Sequence, residues 1–204
     1  MSKSGFMKDA VILFVITLVS GCLLGGVYQL TKKPIELATI AANNKAYKAV
    51  FADADSFETV DVDADAMQYY LDENGYAAQS IDETMLAKDA SGNELGYAFT
   101  VTTSEGYGGD IQFAMGIQDD GTLNGISILS IGETAGLGMK AAEPDFYEQY
   151  SGKQTDHFYV SKDGGEGEEI DAISGATITS RAVTGAVNSS LGYFQNVLGG
   201  SADE

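Results

Sequence analysis

The stretch with the most chemistry in it is Asp171-Ala172-Ile173-Ser174-Gly175-Ala176-Thr177, followed by Ile178-Thr179-Ser180. Gly175 and Ala176 carry little or no side chain, so another group can come close to the backbone there. Beyond them Val183, Val187, Leu191, Phe194 and Leu198 recur at spacings of three and four, the pattern of an amphipathic helix. The segment therefore predicts a short loop opening a helix. Its hydroxyls gather where free N–H groups and the helix dipole favour an anion. Two readings follow: a loop that holds a phosphate, or a plain helix start in which Ser174 or Thr177 caps orphan N–H groups.

A second candidate is Gly132-Glu133-Thr134-Ala135-Gly136-Leu137-Gly138-Met139-Lys140. Glycines this dense let a backbone lie close to a flat ligand. Their spacing is not a dinucleotide fingerprint, and a plain Gly-rich loop is the alternative. Asp61, Asp63 and Asp65 hint at a calcium loop. The sixth position is Ala66 rather than Gly and the twelfth is Asp72 rather than Glu, which argues for a solvated acidic stretch. His157 is the one histidine and has no second histidine to share a metal; no metal site is expected.

These loops need elements to position them. Leu95, Tyr97, Phe99 and Val101 alternate with other residues, as do Ile111, Phe113, Met115 and Ile117; each run reads as a half-buried strand. Ser104-Glu105-Gly106-Tyr107-Gly108-Gly109 and Asp119-Asp120-Gly121 supply turns, and Leu123 to Ile131 a third strand. A short helix is expected near Glu143–Tyr150, a strand at Phe158–Ser161 and an acidic surface turn at Gly164–Glu169. An antiparallel meander followed by a long helix makes an α+β domain. Pro34 to Phe51 reads as a separate helix with Pro34 at its first position.

Ala10 to Leu30 is uncharged and apolar, long enough for a bilayer, which takes about 20 such residues. A cleaved secretory signal is one alternative, and a lipoprotein signal at Val19-Ser20-Gly21-Cys22 is another. The apolar run continues past Cys22 through Leu23, Leu24, Val27 and Tyr28, which favours an uncleaved spanning helix. The expected organisation is a tail at 1–9, a transmembrane helix at 10–30, and a membrane-proximal helix with an acidic segment at 31–90. A domain core at 91–198 and a flexible tail at 199–204 complete it. Lys3, Lys8 and the amino terminus against Lys32 and Lys33 lean slightly toward a cytoplasmic N-terminus, with the domain outside the cell membrane. Thirty acidic residues against 11 basic, a net charge of −19, disfavour nucleic acid as a partner. A single cysteine, Cys22, excludes an intramolecular disulfide and cysteine-ligated zinc or iron–sulfur sites.

Three patterns occur in order: Gly106-Tyr107-Gly108-Gly109, Glu133-Thr134-Ala135-Gly136-Leu137-Gly138, and Asp171 through Thr177. Together with one N-terminal apolar helix they resemble the FMN-binding domain family, and within it the G subunits of Rnf-type ion-translocating ferredoxin:NAD oxidoreductases. The related C subunits of sodium-pumping NADH:quinone oxidoreductases share the pattern. The resemblance covers roughly residues 10–198. It departs at Ala135, where the family often has Pro, which loosens that loop.

The resemblance implies one covalent FMN, joined through its phosphate to Thr177 by a flavin transferase. Asp171 matches the acidic start of the motif, and Ser174, Gly175 and Ala176 would shape the phosphate pocket. Thr134, Leu137 and Gly138 would lie against the isoalloxazine ring, with Glu133 and Lys162 as further contacts. Tyr107 either completes that site or is a packed turn aromatic. The implied role is electron relay inside a membrane complex whose polytopic subunits carry an iron–sulfur centre and a second covalent FMN. It is an enzyme only as part of that complex. The alternatives are a subunit of the sodium-translocating quinone reductase, a stand-alone membrane-anchored covalent flavoprotein, and a non-redox tethered domain in which the Thr177 loop is only a cap.

Overall fold

The computed structural model describes residues 3–199, with side chains from residue 7 onward. The chain divides after Ala42 into two units.

The first unit belongs to one long helix, α1 (Lys3–Val50). Every residue from Met7 to Ala42 is exposed. The mean hydropathy of its most apolar window, 2.5, and its length suffice to cross a membrane. Pro34 lies inside this helix rather than starting a new one. A helix-interior proline deprives the carbonyl four residues back, that of Leu30, of its donor, at a cost of about 3 kcal/mol. Strong helix formers on both sides carry the helix through.

The second unit is an α+β domain, as expected. Its five-stranded antiparallel sheet runs in sequence order through β1 (Ser56–Thr59), β2 (Gln79–Lys88), β3 (Glu94–Thr103), β4 (Ile111–Gln118) and β5 (Leu123–Ile131). The three expected strands are β3, β4 and β5. The boundary drawn at residue 90 falls elsewhere, because residues 56–88 supply two strands of this sheet and the helix α2 (Ala64–Glu73) between them. Asp63 caps α2: its carboxylate accepts the N–H groups of Asp65 and Ala66 at 3.0 and 3.1 Å. Of the aspartates that hinted at calcium, Asp63 and Asp65 belong to a helix start.

Alternation along the strands divides the core. Phe99, Val101, Ile111, Phe113, Met115 and Ile117 join one cluster with Val183, Ala186, Val187 and Leu191 of the last long helix, Thr177–Tyr193 (α4 below). Ala87, Ala98 and Ala114 form the other with Ala46, Tyr47, Val50 and Phe51, from the chain segment of this unit that ends α1. The sheet is a middle layer with helix on both faces.

After β5 come a 3₁₀ turn (Gly138–Ala142), the short α3 (Pro144–Tyr147) and a second turn (Glu148–Tyr150), where one short helix was expected. Next are β6 (Phe158–Val160) and β7 (Glu168–Ile170), a parallel pair, and then α4 (Thr177–Tyr193). Glu168 and Glu169 therefore begin a strand instead of finishing a turn. Asn188 of α4 binds β6 as a neighbouring strand would, accepting from Phe158 N–H at 2.9 Å and donating to Phe158 C=O at 2.8 Å.

Candidate functional site

A cavity of about 500 Å³ is lined by Tyr107, Glu133, Thr134, Leu137, Gly138, Gly175, Ala176, Thr177, Ile178 and Thr179. Its volume is in the range of roughly 300–1,000 Å³ usual for small-molecule sites. Three segments far apart in sequence meet there: the turn after β3, the loop after β5, and the start of α4. Another groove, of about 660 Å³, lies at the far end of α4 beside Asp119, Asp120 and Asp156, and none of the sequence-selected residues lines it.

Close packing welds the segments together. Glu133 is only 8% exposed, and its Oε1 accepts the Tyr107 N–H at 2.8 Å, tying the first segment to the second. A Cβ on Gly138 would stand 2.6 Å from Thr179 Oγ1 and 2.7 Å from Glu133 Oε2, so only glycine lets the second segment reach the third. Gly175 has φ +78°, a backbone that side chains rarely adopt, and a Cβ there would stand 3.2 Å from Leu137 Cδ2.

The start of α4 bears on the two readings of the sequence. Its N-cap is Ala176, and no side chain caps the helix. Ser174 and Thr177 therefore do not cap it. Ser180 N–H bonds to Ala176 C=O at 3.1 Å, while the N–H groups of Thr177, Ile178 and Thr179 have no acceptor among the described residues. Free donors and the positive end of the helix dipole are the features that favour an anion. Thr177 is half-buried, at the cavity wall, and its hydroxyl makes no hydrogen bond among the described residues.

The lining holds one charged side chain, Glu133, and neither Lys nor Arg. An anion here must be met by backbone N–H groups and hydroxyls. Around the mouth, Tyr107 (73% exposed), Ile178 (49%) and Leu137 (42%) leave apolar surface open, which suits a flat ring system. Uncapped donors at one end, apolar walls and a glycine-cleared floor fit a phosphate-bearing aromatic such as FMN.

Eight of the sequence-selected residues meet in the cavity: Tyr107, Glu133, Thr134, Leu137, Gly138, Gly175, Ala176 and Thr177. Three do not line it. Lys162 is in the turn after β6, Ser174 is exposed on the loop, and Asp171 is exposed with its backbone N–H bound by Gln149. Ile178 and Thr179 join the lining without having been selected from the sequence. A signal for them exists: the first turn of a helix that opens on a cavity must contribute its own side chains to the wall.

A family model described as an FMN-binding domain matches residues 106–192, a stretch that contains every lining residue. Relatives extend over nearly the full length. The G subunit of the Na(+)-translocating ferredoxin:NAD(+) oxidoreductase complex of Acetobacterium woodii is 35% identical over 196 residues, 93% of this chain and 92% of that protein. The G subunit of the proton-translocating ferredoxin:NAD(+) oxidoreductase complex of Clostridium ljungdahlii is 31% identical over 95% of this chain and 97% of that one. A crystal structure of NqrC from Shewanella oneidensis shares the fold, with a TM-score of 0.50 at 22% identity, covering 73% of this chain and 84% of that chain. The chain belongs to the FMN-binding domain family and, within it, to the G subunits of ion-translocating oxidoreductase complexes.

Proposed function

We propose that this chain is the electron-carrying G subunit of a membrane-bound, ion-translocating ferredoxin:NAD oxidoreductase, with FMN joined covalently to Thr177. The observation that carries the reading is the convergence of three separate motifs on one cavity at the uncapped start of α4, with a threonine hydroxyl at its wall.

FMN, when bound, supplies one- and two-electron transfer. The N–H groups of Thr177, Ile178 and Thr179 would meet the phosphate charge. Gly138 and Gly175 would leave room for the flavin, and Leu137, Ile178 and Tyr107 would offer apolar surface to its ring. Glu133 fixes the Tyr107 turn through its Oε1. Attachment requires a flavin transferase acting on an activated flavin nucleotide. The Oγ–P bond would form as the pyrophosphate P–O bond of a flavin dinucleotide donor breaks; the other nucleotide would leave as its monophosphate, and the hydroxyl proton would pass to a base. The product equals the chain plus FMN less a water.

Such an ester keeps the cofactor with a domain that stands outside the cytoplasm, where free FMN is scarce. In this reading α1 anchors the domain in the membrane with its N-terminus in the cytoplasm. The domain is one station between an iron–sulfur centre in polytopic subunits and a second covalent FMN. It has no cysteine ligands for such a centre itself, since its single cysteine is Cys22.

The test is mass spectrometry of the full chain from membranes of cells that also express a flavin transferase. A Thr177 peptide heavier by one FMN less a water is expected, and Thr177→Ala should lose all covalent flavin. Covalent flavin that survives Thr177→Ala would move the attachment to another residue.

A further inference from the structure

Three successive backbone N–H groups on the Thr177 loop are received by side-chain oxygens from three different parts of the chain. Gln149 Oε1 accepts from Asp171 at 2.7 Å, Ser161 Oγ from Ala172 at 3.1 Å, and Ser180 Oγ from Ile173 at 3.0 Å. Gln149 sits in the turn after α3, Ser161 directly follows β6, and Ser180 is in the first turn of α4. Two of the three also hold the loop through a second bond. Gln149 Nε2 donates to Asp171 C=O at 3.4 Å, and Ser180 Oγ donates to Ala176 C=O at 3.1 Å. None of the three lines the cavity.

Covered loop N–H groups need partners, and the main chain or water ordinarily supplies them. Here the partners are side chains on separate elements, so the loop is fixed in place as well as satisfied. A loop bonded to α4 alone could rock with it. This one cannot shift without breaking bonds to the α3 turn and to the end of β6. Meanwhile the donors at Thr177, Ile178 and Thr179 stay open to the cavity.

We propose that Gln149, Ser161 and Ser180 are positioning residues, a clamp that holds the 171–176 loop from behind so that Thr177 Oγ stands at a fixed point for flavin attachment. The proposal rests on the Thr177 reading above. Reactions between held groups are steep in geometry, and a misplacement of about 1 Å can slow one roughly a hundredfold. A loosened clamp should therefore slow attachment even where the fold is intact.

The experiment uses the full chain in membranes of cells co-expressing a flavin transferase. Gln149 and Ser161 are not fully buried, so Gln149→Ala/Ser161→Ala should fold. Ser161→Thr, which keeps the hydroxyl, is the rescue control. Intact mass gives the rate at which the adduct appears after induction. Amide hydrogen exchange on the unmodified chain compares residues 171–173 with 183–191 of α4. The expected result is attachment at least about tenfold slower in the double variant, near the wild-type rate in Ser161→Thr, and faster exchange confined to the loop.

Attachment at the wild-type rate would overturn the proposal. So would slow attachment with exchange raised equally in α4, which marks general loss of stability. If the wild type never acquires the adduct, the Thr177 reading fails separately, and the exchange arm still decides. The deciding amide is Ile173, whose own acceptor Ser180 is untouched by the double variant: exchange unchanged there overturns the clamp, and exchange raised there but not in α4 shows that Gln149 and Ser161 hold the loop.

Discussion

α1 and α4 invert the usual relation between composition and burial. Val11 to Leu30 of α1 is nearly all apolar and wholly exposed, with Val15 at 48% and Leu30 at 78%. Of the 17 residues of α4, 12 are buried, and Thr179, Ser180, Thr184, Asn188, Ser189 and Ser190 are among them. What decides is the available partner. Short hydroxyls add little bulk and can bond to their own helix: Thr184 Oγ1 donates to Ser180 C=O and Ser189 Oγ to Ala186 C=O, both at 2.8 Å. Tyr150 closes the arrangement with a 2.8 Å bond to Thr184, and burial pushes its phenol well above the ordinary range, so it remains neutral. Among the described residues, Thr84 Oγ1 and Ser190 Oγ are buried without partners. α1 between Met7 and Ala42 is exposed throughout, and its uncharged stretch from Ala10 to Leu30 is apolar and long enough to cross a membrane.

The same substitution in the two helices should therefore have opposite consequences. Val187→Lys puts an ammonium at a site with 0% exposure, lined by apolar side chains. That removes several kcal/mol from a stability that totals roughly 5–15 kcal/mol for a domain. The expected outcome is loss of the cooperative thermal transition of the full chain in detergent. Ile16→Lys/Val19→Lys opposes membrane insertion by about 3 kcal/mol per lysine at a helix centre. It should shift the chain from washed membranes to the soluble fraction while leaving the melting temperature of the sheet domain unchanged. If the α1 variant melts the domain, or Val187→Lys does not, the contrast between the helices is wrong.

Asn188→Ala tests whether the polar residues of α4 hold structure or merely fit. It leaves Phe158 N–H and C=O buried without these partners, which should lower stability by about 1–3 kcal/mol. Urea melts would give the magnitude, and amide exchange at Phe158 would rise ahead of exchange in β3 and β4. A loss below a few tenths of a kcal/mol would mean that water replaces the side chain.

Alternation makes β3 and β4 legible in the sequence, because one face buries large side chains under α4, and the glycine-bearing turn at Asp119–Gly121 marks where β5 begins. β2 is not legible, for a physical reason. Asp82 and Glu83 stand together as two exposed acidic residues at the register shift between Ile81 and Glu83, which interrupts the apolar alternation. β1 is four residues with one half-buried side chain, too little for any pattern. The Asp63 cap is hidden inside an acidic run. At the site, the three glycine-bearing segments are legible as motifs, and the cavity brings eight of their residues together. Lys162, Ser174 and Asp171 stand outside its lining, since nearness in sequence says nothing about which way a loop side chain points. The clamp of Gln149, Ser161 and Ser180 has no sequence signal, because it exists only once three distant elements pack.

The smallest effect expected is at the exposed edge of α4. Arg181 Nε donates to Asp163 Oδ1 and Oδ2 at 3.0 and 2.9 Å, and the guanidinium holds the Asp163 carboxyl below its ordinary value of 3.8. Because folding lowers that pKa, the pair adds stability above the unfolded value and loses it as pH falls through the folded one. Both side chains are well solvated, so the contribution is slight and salt-sensitive. Asp163→Asn should therefore lower the melting temperature a little at neutral pH and low salt. The difference should vanish in acid or in high salt. An equal difference at all pH values would mean that Asp163 acts by holding the turn after β6 in shape, and the contrast would sharpen. On α4 the buried hydroxyls would then carry structure, and its exposed ion pair would carry almost none.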